Sequence, residues 1–70
     1  MEEKVIEILK EVMKDPNINS ETSQENCPTW DSLHQLNLVL ELEDAFDISI
    51  EPEDIAQMKS VADILRILSR

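Results

Sequence analysis

The sequence predicts an all-α fold, a small four-helix bundle with three longer helices and a short third one. Apolar residues recur at helical spacing in four segments, and no segment alternates apolar and polar residues as a strand would. Prolines and a polar, asparagine-containing stretch separate these segments. At 70 residues the chain is close to the lower limit for a single hydrophobic core, so we predict one domain over residues 1–70.

The first helix is predicted from about Glu2 to Lys14. Acidic residues at its start and a lysine at its end suit the helix dipole, and Pro16 ends it. A long polar loop follows, of the kind that is often mobile or functional, with Ile18 as its expected hydrophobic anchor. The apolar stripe of this helix consists of Val5, Ile6, Leu9, Val12 and Met13.

The second helix is predicted from Ser32 to Ala45 or Phe46. Its apolar residues cover more than one face, so we expect it to be central and to touch the other helices on several sides. In the turn that follows, Ile48 and Ile50 are expected to point inward at alternate positions. The apolar residues of this helix are Leu33, Leu36, Leu38, Val39, Leu40, Leu42 and Phe46.

The last two helices are predicted from proline and serine signals. Pro52 suits the first turn of a short third helix, whose inward pair would be Ile55 and Met58. Ser60 is a plausible N-cap for the fourth helix. The apolar residues of that helix follow at i, i+3, i+4 and i+7: Val61, Ile64, Leu65 and Leu68.

Charge and composition exclude several functional classes. Sixteen acidic and six basic residues give a net charge of -10, and no basic residue lies between Asp15 and Met58. Such a surface repels nucleic acid and anionic membranes and attracts basic partners. Glycine is absent, which removes phosphate-binding glycine loops and the glycine-flanked serine of hydrolases.

The remaining composition indicates a cytoplasmic monomer. Cys27 is the single cysteine, so it has no internal disulfide or metal-ligand partner, and we expect it to be a small, semi-buried residue under the loop. No apolar run is long enough to span a membrane, and the chain begins Met1-Glu2-Glu3 without a secretion signal.

Ser32 is the main candidate for chemistry, and two interpretations of it stay open at this point. In the first, Ser32 caps the second helix and Gln35 completes a capping box, an arrangement that local spacing favours. In the second, Asp31 is the cap and Ser32 begins the helix with its hydroxyl in solvent. A phosphate ester at that position would lie against free backbone N–H groups at the positive helix end.

The sequence gives little support to a catalytic site or a metal site elsewhere in the chain. His34 lies two residues after Ser32, and residues at i and i+2 of a helix do not face each other, so a Ser–His nucleophile is not expected. We expect His34 to be a surface residue that contributes a mild, pH-sensitive partner contact. The acidic residues from Glu41 to Asp54 lack the ligand register and the glycine of a calcium loop. We therefore predict no catalytic residues and no metal site.

The segment from Asp31 to Leu68 resembles the acyl carrier protein family. That family has Asp-Ser-Leu at the start of its second helix, a leucine-rich stretch that ends in Leu-Glu-acidic-x-Phe, an Ile-x-Pro-acidic-acidic turn and a Thr-Val start of its last helix. The matching residues here are Asp31-Ser32-Leu33, Leu36, Leu38, Val39, Leu42-Glu43-Asp44-Ala45-Phe46, Ile50-Glu51-Pro52-Glu53-Asp54 and Ser60-Val61.

The resemblance implies that Ser32, between Asp31 and Leu33, receives 4'-phosphopantetheine from coenzyme A. A phosphopantetheinyl transferase would attach it, and acyl-loading and acyl-processing enzymes with basic patches would dock on the second helix. The implied partner-binding residues are His34, Asn37, Glu41, Glu43, Asp44 and Asp47. Those implied to line a core that shelters an acyl chain are Leu42, Phe46, Ile50, Ile55, Met58, Val61 and Ile64.

Departures from the family pattern favour a specialised carrier. Members that serve fatty-acid synthesis usually carry acidic residues two and five positions after the serine, where this chain has His34 and Asn37. They also tend to have glycine two before the aspartate, where Thr29 stands here. An aminoacyl or peptidyl carrier is less favoured, because those proteins usually show Gly-Gly-x-Ser. The rival from another class is an unmodified acidic adaptor that binds a basic protein surface.

Overall fold

The computed structural model describes residues 2–69, and it confirms the predicted all-α architecture. The four helices are α1 (Glu2–Met13), α2 (Ser32–Phe46), α3 (Pro52–Gln57) and α4 (Val61–Leu68). No strand is present in the described part of the chain, where residues 23 and 60 form one isolated antiparallel bridge. The short third helix lies where the proline predicted it.

Helix α1 ends one residue earlier than predicted. Lys14 has a left-handed backbone with φ of 54°, and the N–H of Asp15 donates to the carbonyl of Lys10 at 3.2 Å. The chain therefore turns away at Lys14, ahead of the proline. α1 packs against both α2 and α4, so it links these two helices in the bundle.

A single hydrophobic cluster fills the space between the helices. α1, α2 and α4 each contribute one buried face, while the buried residue nearest α3 is Met58, just beyond the end of that helix. Ile18 from the long loop is also buried, as expected of its hydrophobic anchor, and Cys27 is more fully buried than the semi-buried position predicted for it. The residues with almost no exposure are Val5, Leu9, Met13, Leu38, Leu42, Met58, Val61 and Ile64.

Two expectations about burial are wrong. α2 is not enclosed on several sides: Leu33, Leu36 and Leu40 are 67%, 58% and 64% exposed, because α2 packs with one face only. Ile48 is 38% exposed and does not point inward with Ile50. The left-handed residue Asp47 (φ 53°) ends α2 and turns the chain, so the alternation expected of an extended segment is not maintained.

The loop between α1 and α2 is held by its own hydrogen bonds. The buried Thr22 accepts from the N–H of Asn19 at 2.9 Å through its hydroxyl and from the N–H of Val61 at 3.0 Å through its carbonyl. The N–H of Gln24 donates to the carbonyl of Lys59 at 2.8 Å. The loop is thus tied to the junction of α3 and α4, which fixes the approach to the start of α2.

Candidate functional site

The start of α2 is capped by Asp31. Its backbone is extended, and its Oδ1 accepts the N–H of His34 at 2.9 Å, as an N-cap side chain does. Ser32 is therefore the first helical residue, and it is exposed. Of the two interpretations left open by the sequence, the capping box formed by Ser32 and Gln35 is wrong, and the solvent-facing hydroxyl is correct.

The first turn of α2 leaves backbone donors available beside this hydroxyl. Helix starts present N–H groups that have no partner within the helix. In residues 2–69, the N–H groups of Ser32 and Leu33 have no hydrogen-bond partner, while those of the next two residues are taken by Asp31. An anion bound to the Ser32 oxygen would meet these two donors and the positive end of the helix dipole.

His34 is paired with the cap rather than free on the surface. Its Nδ1 lies 2.8 Å from Oδ1 of Asp31, and its side chain is 28% exposed. The predicted contact of His34 with a partner stays a prediction. The backbone N–H of His34, and then its ring, lower the pKa of Asp31 below its ordinary value, because both stabilise the carboxylate. Asp31 thus stays ionised beside the hydroxyl.

Gln35 joins three parts of the chain beneath the serine. Its Oε1 accepts from the indole Nε1 of Trp30 at 2.6 Å, and its Nε2 donates to the carbonyl of Ile55 in α3 at 2.8 Å. The sequence pattern around Gln35 does not indicate this role. The one usable signal was that the single tryptophan directly precedes the Asp-Ser motif and is large enough to need a buried partner for its N–H.

A groove of about 550 Å³ lies beside the serine. The end of the loop forms one wall, and α3 forms the opposite wall. It is open to solvent and combines apolar side chains with amides and two charged groups. Its lining consists of Gln24, Trp30, Asp31, Ser32, Gln35, Leu36, Ile55, Ala56 and Lys59.

The residues predicted to bind partners differ in their solvent exposure. Asn37, Glu41, Asp44 and Asp47 are exposed along α2 and its end. Glu43 is half-buried, and its Oε2 accepts the N–H of Ile50 at 2.8 Å. That carboxylate therefore secures the turn after α2, which the sequence pattern did not indicate.

The residues predicted to line an acyl pocket all belong to the hydrophobic cluster or pack against it. Leu42, Ile50, Met58, Val61 and Ile64 are buried, while Phe46 and Ile55 are partly buried. Ile55 alone among the seven also borders the groove at Ser32. This side chain therefore stands between the groove and the core.

Residues 2–69 contain neither a metal-binding cluster nor a helix that could span a membrane. No group of three or more His, Cys, Asp and Glu side chains is arranged to hold a metal ion. None of the described helices has the length and apolar character needed to cross a membrane.

Comparisons with known proteins agree on one family. The family described as "Phosphopantetheine attachment site" matches residues 3–68. An acyl carrier protein of Syntrophus aciditrophicus is 34% identical over 97% of this chain and 88% of its own length. An acyl carrier protein of an Exiguobacterium species is 40% identical over 69% of this chain and 61% of its own length.

A solved structure supports the same grouping. It comes from Mycobacterium tuberculosis and is provisionally named an acyl carrier protein. It superposes with a TM-score of 0.85 at 29% identity, over 97% of this chain and 93% of the other.

Proposed function

Because the chain belongs to the acyl carrier protein family, whose attachment domain carries 4'-phosphopantetheine covalently, we propose that Ser32 is the attachment residue. The observation that carries this proposal is the position of Ser32 at the first residue of α2. Asp31 serves as the cap, so the Ser32 hydroxyl is left without a structural task and lies in solvent. Two unpartnered backbone N–H groups stand beside it to meet the phosphate.

The attachment reaction is a phosphoryl transfer from coenzyme A. The Ser32 oxygen forms a bond to the phosphorus of the 4'-phosphate, and the bond from that phosphorus to the bridging oxygen of adenosine 3',5'-bisphosphate breaks. The hydroxyl proton passes to a base. We propose that a separate phosphopantetheinyl transferase supplies the base and the magnesium ion, since Nδ1 of the nearby His34 is paired with Asp31. When attached, the arm supplies a terminal thiol that holds an acyl group as a thioester.

Delivery of the cargo would rest on the exposed acidic side of α2. Glu41, Asp44 and Asp47 lie on the solvent side of this helix or at its end, where they suit basic patches on acyl-loading and acyl-processing enzymes. Leu36 and Leu40, exposed on the same helix, would supply apolar contact area. The protein itself would contribute no catalytic group and would act as a cytoplasmic monomer.

The pathway served is proposed to be a specialised one. His34 and Asn37 stand where carriers of general fatty-acid synthesis usually have acidic residues, and His34 forms an internal pair with Asp31. The serine end of α2 is therefore less acidic than its distal end. We propose that a dedicated ligase or transferase, matched to this end, loads the arm.

The hydrophobic core is proposed as the shelter for longer acyl chains. Leu42, Phe46 and Ile64 belong to the continuous cluster or contact it, and Ile55 is the side chain shared by the cluster and the groove. A chain that starts at Ser32 would have to displace α3 to pass Ile55. Entry would therefore depend on how firmly α3 is held.

Intact mass measurement tests the attachment. The wild-type protein, incubated with coenzyme A and a broad-specificity phosphopantetheinyl transferase, should gain the mass of one phosphopantetheinyl group. Ser32→Ala should gain none, whereas the exposed serine variant Ser20→Ala should be modified as the wild type is. No gain on the wild type would favour the unmodified acidic adaptor, and an equal gain on Ser32→Ala would overturn attachment at Ser32.

A further inference from the structure

We propose that a groove between α1 and α2 receives one arginine side chain of a partner protein that docks on α2. This groove shares no lining residue with the one beside Ser32, and it adds α1 to the surface used for recognition. Docking on α2 is taken from the proposed function, whereas attachment at Ser32 is not needed.

The groove is formed by matching positions on two packed helices. Each helix contributes three residues at i, i+3 and i+4, positions that share one helix face. The volume is about 290 Å³, at the lower limit of the roughly 300–1,000 Å³ of ligand pockets, so the groove suits one side chain. The residues are Ile8, Glu11 and Val12 from α1 and Asn37, Leu40 and Glu41 from α2.

Apolar side chains supply the contact area in this groove. Ile8 is buried and Val12 is half-buried, whereas Leu40 is largely exposed. Ile8 therefore lies deepest, and Leu40 stands at the rim. A ligand with an alkyl stem would cover Leu40 and gain the free energy of removing apolar surface from water.

One carboxylate on each helix is free to bind a cation. Glu11 on α1 and Glu41 on α2 are exposed, and within residues 2–69 neither forms an ion pair or a side-chain hydrogen bond. Lys14 also lines the groove, but it forms no ion pair with either carboxylate in that part of the chain. The lining therefore carries one net negative charge, which suits a single cation.

An arginine side chain matches this combination of groups. Its methylene stem packs along apolar surface while its charged head stays in a polar environment. Its planar guanidinium has several N–H donors in a fixed arrangement and can reach two carboxylates at once, whereas a lysine ammonium is a strongly hydrated point charge. The amide oxygen of Asn37 can accept a further N–H.

Other occupants fit the groove less well. No group of three or more His, Cys, Asp and Glu side chains in the described chain is arranged for a metal ion. Two copies of a chain with net charge -10 repel each other. The arginine therefore belongs to a different protein with a basic docking surface.

The test measures binding of N-acetyl-arginine methylamide to the unmodified, isotope-labelled protein by NMR at constant ionic strength. The backbone amide shifts of Val12, Leu40 and Glu41 should change and saturate. Those of Asp44 and Glu53, which are exposed acidic positions outside the groove, should change much less. The matching citrulline compound has nearly the same shape but no charge, and should bind at least about fivefold more weakly, as expected for the loss of two exposed ion pairs.

Variants assign the binding to the groove. Glu11→Gln combined with Glu41→Gln should weaken binding of the arginine compound by about fivefold, because both ion pairs are lost. Glu3→Gln combined with Glu7→Gln removes two charges from exposed positions of α1 outside the groove and should bind like the wild type. Leu40→Ala should weaken binding by about two- to threefold, because the stem loses apolar contact.

Equal binding of the arginine and citrulline compounds, or equal binding by the two double variants, would overturn the inference. Shift changes in the groove when the protein alone is concentrated would also overturn it, because they would assign the groove to a second copy. If the arginine compound does not bind while Ser32 is still modified, the inference fails and the proposed attachment stands. Normal binding without modification would have the opposite meaning.

Discussion

The two faces of α2 carry the same residue type with opposite burial. Leu38 and Leu42 are fully buried against the other helices, whereas Leu36 and Leu40 are 58% and 64% exposed. The buried pair holds the bundle together. The exposed pair lies among acidic residues on the side that we propose for partner enzymes. The buried face of α2 thus stabilises the fold, and the exposed face is the one that we propose for recognition.

Truncating one leucine on each face should separate these roles most clearly. Leu42→Ala should lower the free energy of unfolding by about 2–5 kcal/mol, because it removes buried contacts and leaves a cavity. Leu40→Ala should change it by no more than about 0.5 kcal/mol. Urea unfolding followed by circular dichroism gives both values. Similar losses in the two variants would show that the exposed face also contributes to folding.

The sequence predicts where α2 lies in the chain, but it does not predict which of its leucines are buried and which are exposed. Helical spacing and Pro52 located the helices correctly, because these signals act within a few residues. The apolar pattern of α2 could not show which leucines are covered, since that depends on where α1 lies. The contact between Gln35 and the Ile55 carbonyl joins positions twenty residues apart, and no local pattern encodes it.

The N-cap of α2 is a second feature that sequence spacing alone could not assign. Asp31 and Ser32 are both good N-cap residues, so spacing alone could not assign the cap. The extended backbone of Asp31 and its bond to the His34 N–H decide it. The family resemblance favoured the same serine for modification, and the structure explains how that serine is released from a structural role.

Reversing charge on the exposed face should affect recognition without affecting folding. Glu41→Lys combined with Asp44→Lys should lower kcat/KM of the transferase for this protein by about tenfold at low salt, because the basic partner loses electrostatic attraction. The decrease should shrink as ionic strength rises. Glu3→Lys combined with Glu7→Lys changes net charge equally on the exposed side of α1 and should have much less effect. An equal decrease for both pairs would mean that net charge, rather than this face, is recognised.

Lowering the pH should reduce the free energy of unfolding by a smaller amount, through protonation of Asp31 at the start of α2. The pKa of Asp31 is lowered by the His34 N–H and ring, so its ionised form stabilises the folded state. That contribution is complete above the ordinary aspartate value of about 3.9 and is lost as pH falls through the lowered value. Asp31→Asn retains a capping residue but cannot titrate.

Urea unfolding of wild type and Asp31→Asn between about pH 2 and 6 measures this contribution. The wild type should be the more stable protein at the upper end, and the difference should close below about pH 4. Glu25→Gln, an exposed change in the loop, should not alter the pH dependence. A difference that stays constant over the whole range would show that ionisation of Asp31 does not stabilise the fold.

The smallest expected effect concerns the acidic surface as a whole. Raising sodium chloride from about 10 to 500 mM shortens the screening length several-fold, and should relieve repulsion among the acidic residues of a chain with net charge -10. We expect the melting temperature to rise by about 2–4 °C, roughly half a kcal/mol for a domain of this size. Leu42→Ala should show the same rise, because salt acts on the exposed face. The double reversal at Glu41 and Asp44 should show a smaller one. Identical responses in all three proteins would mean that repulsion is not concentrated on α2.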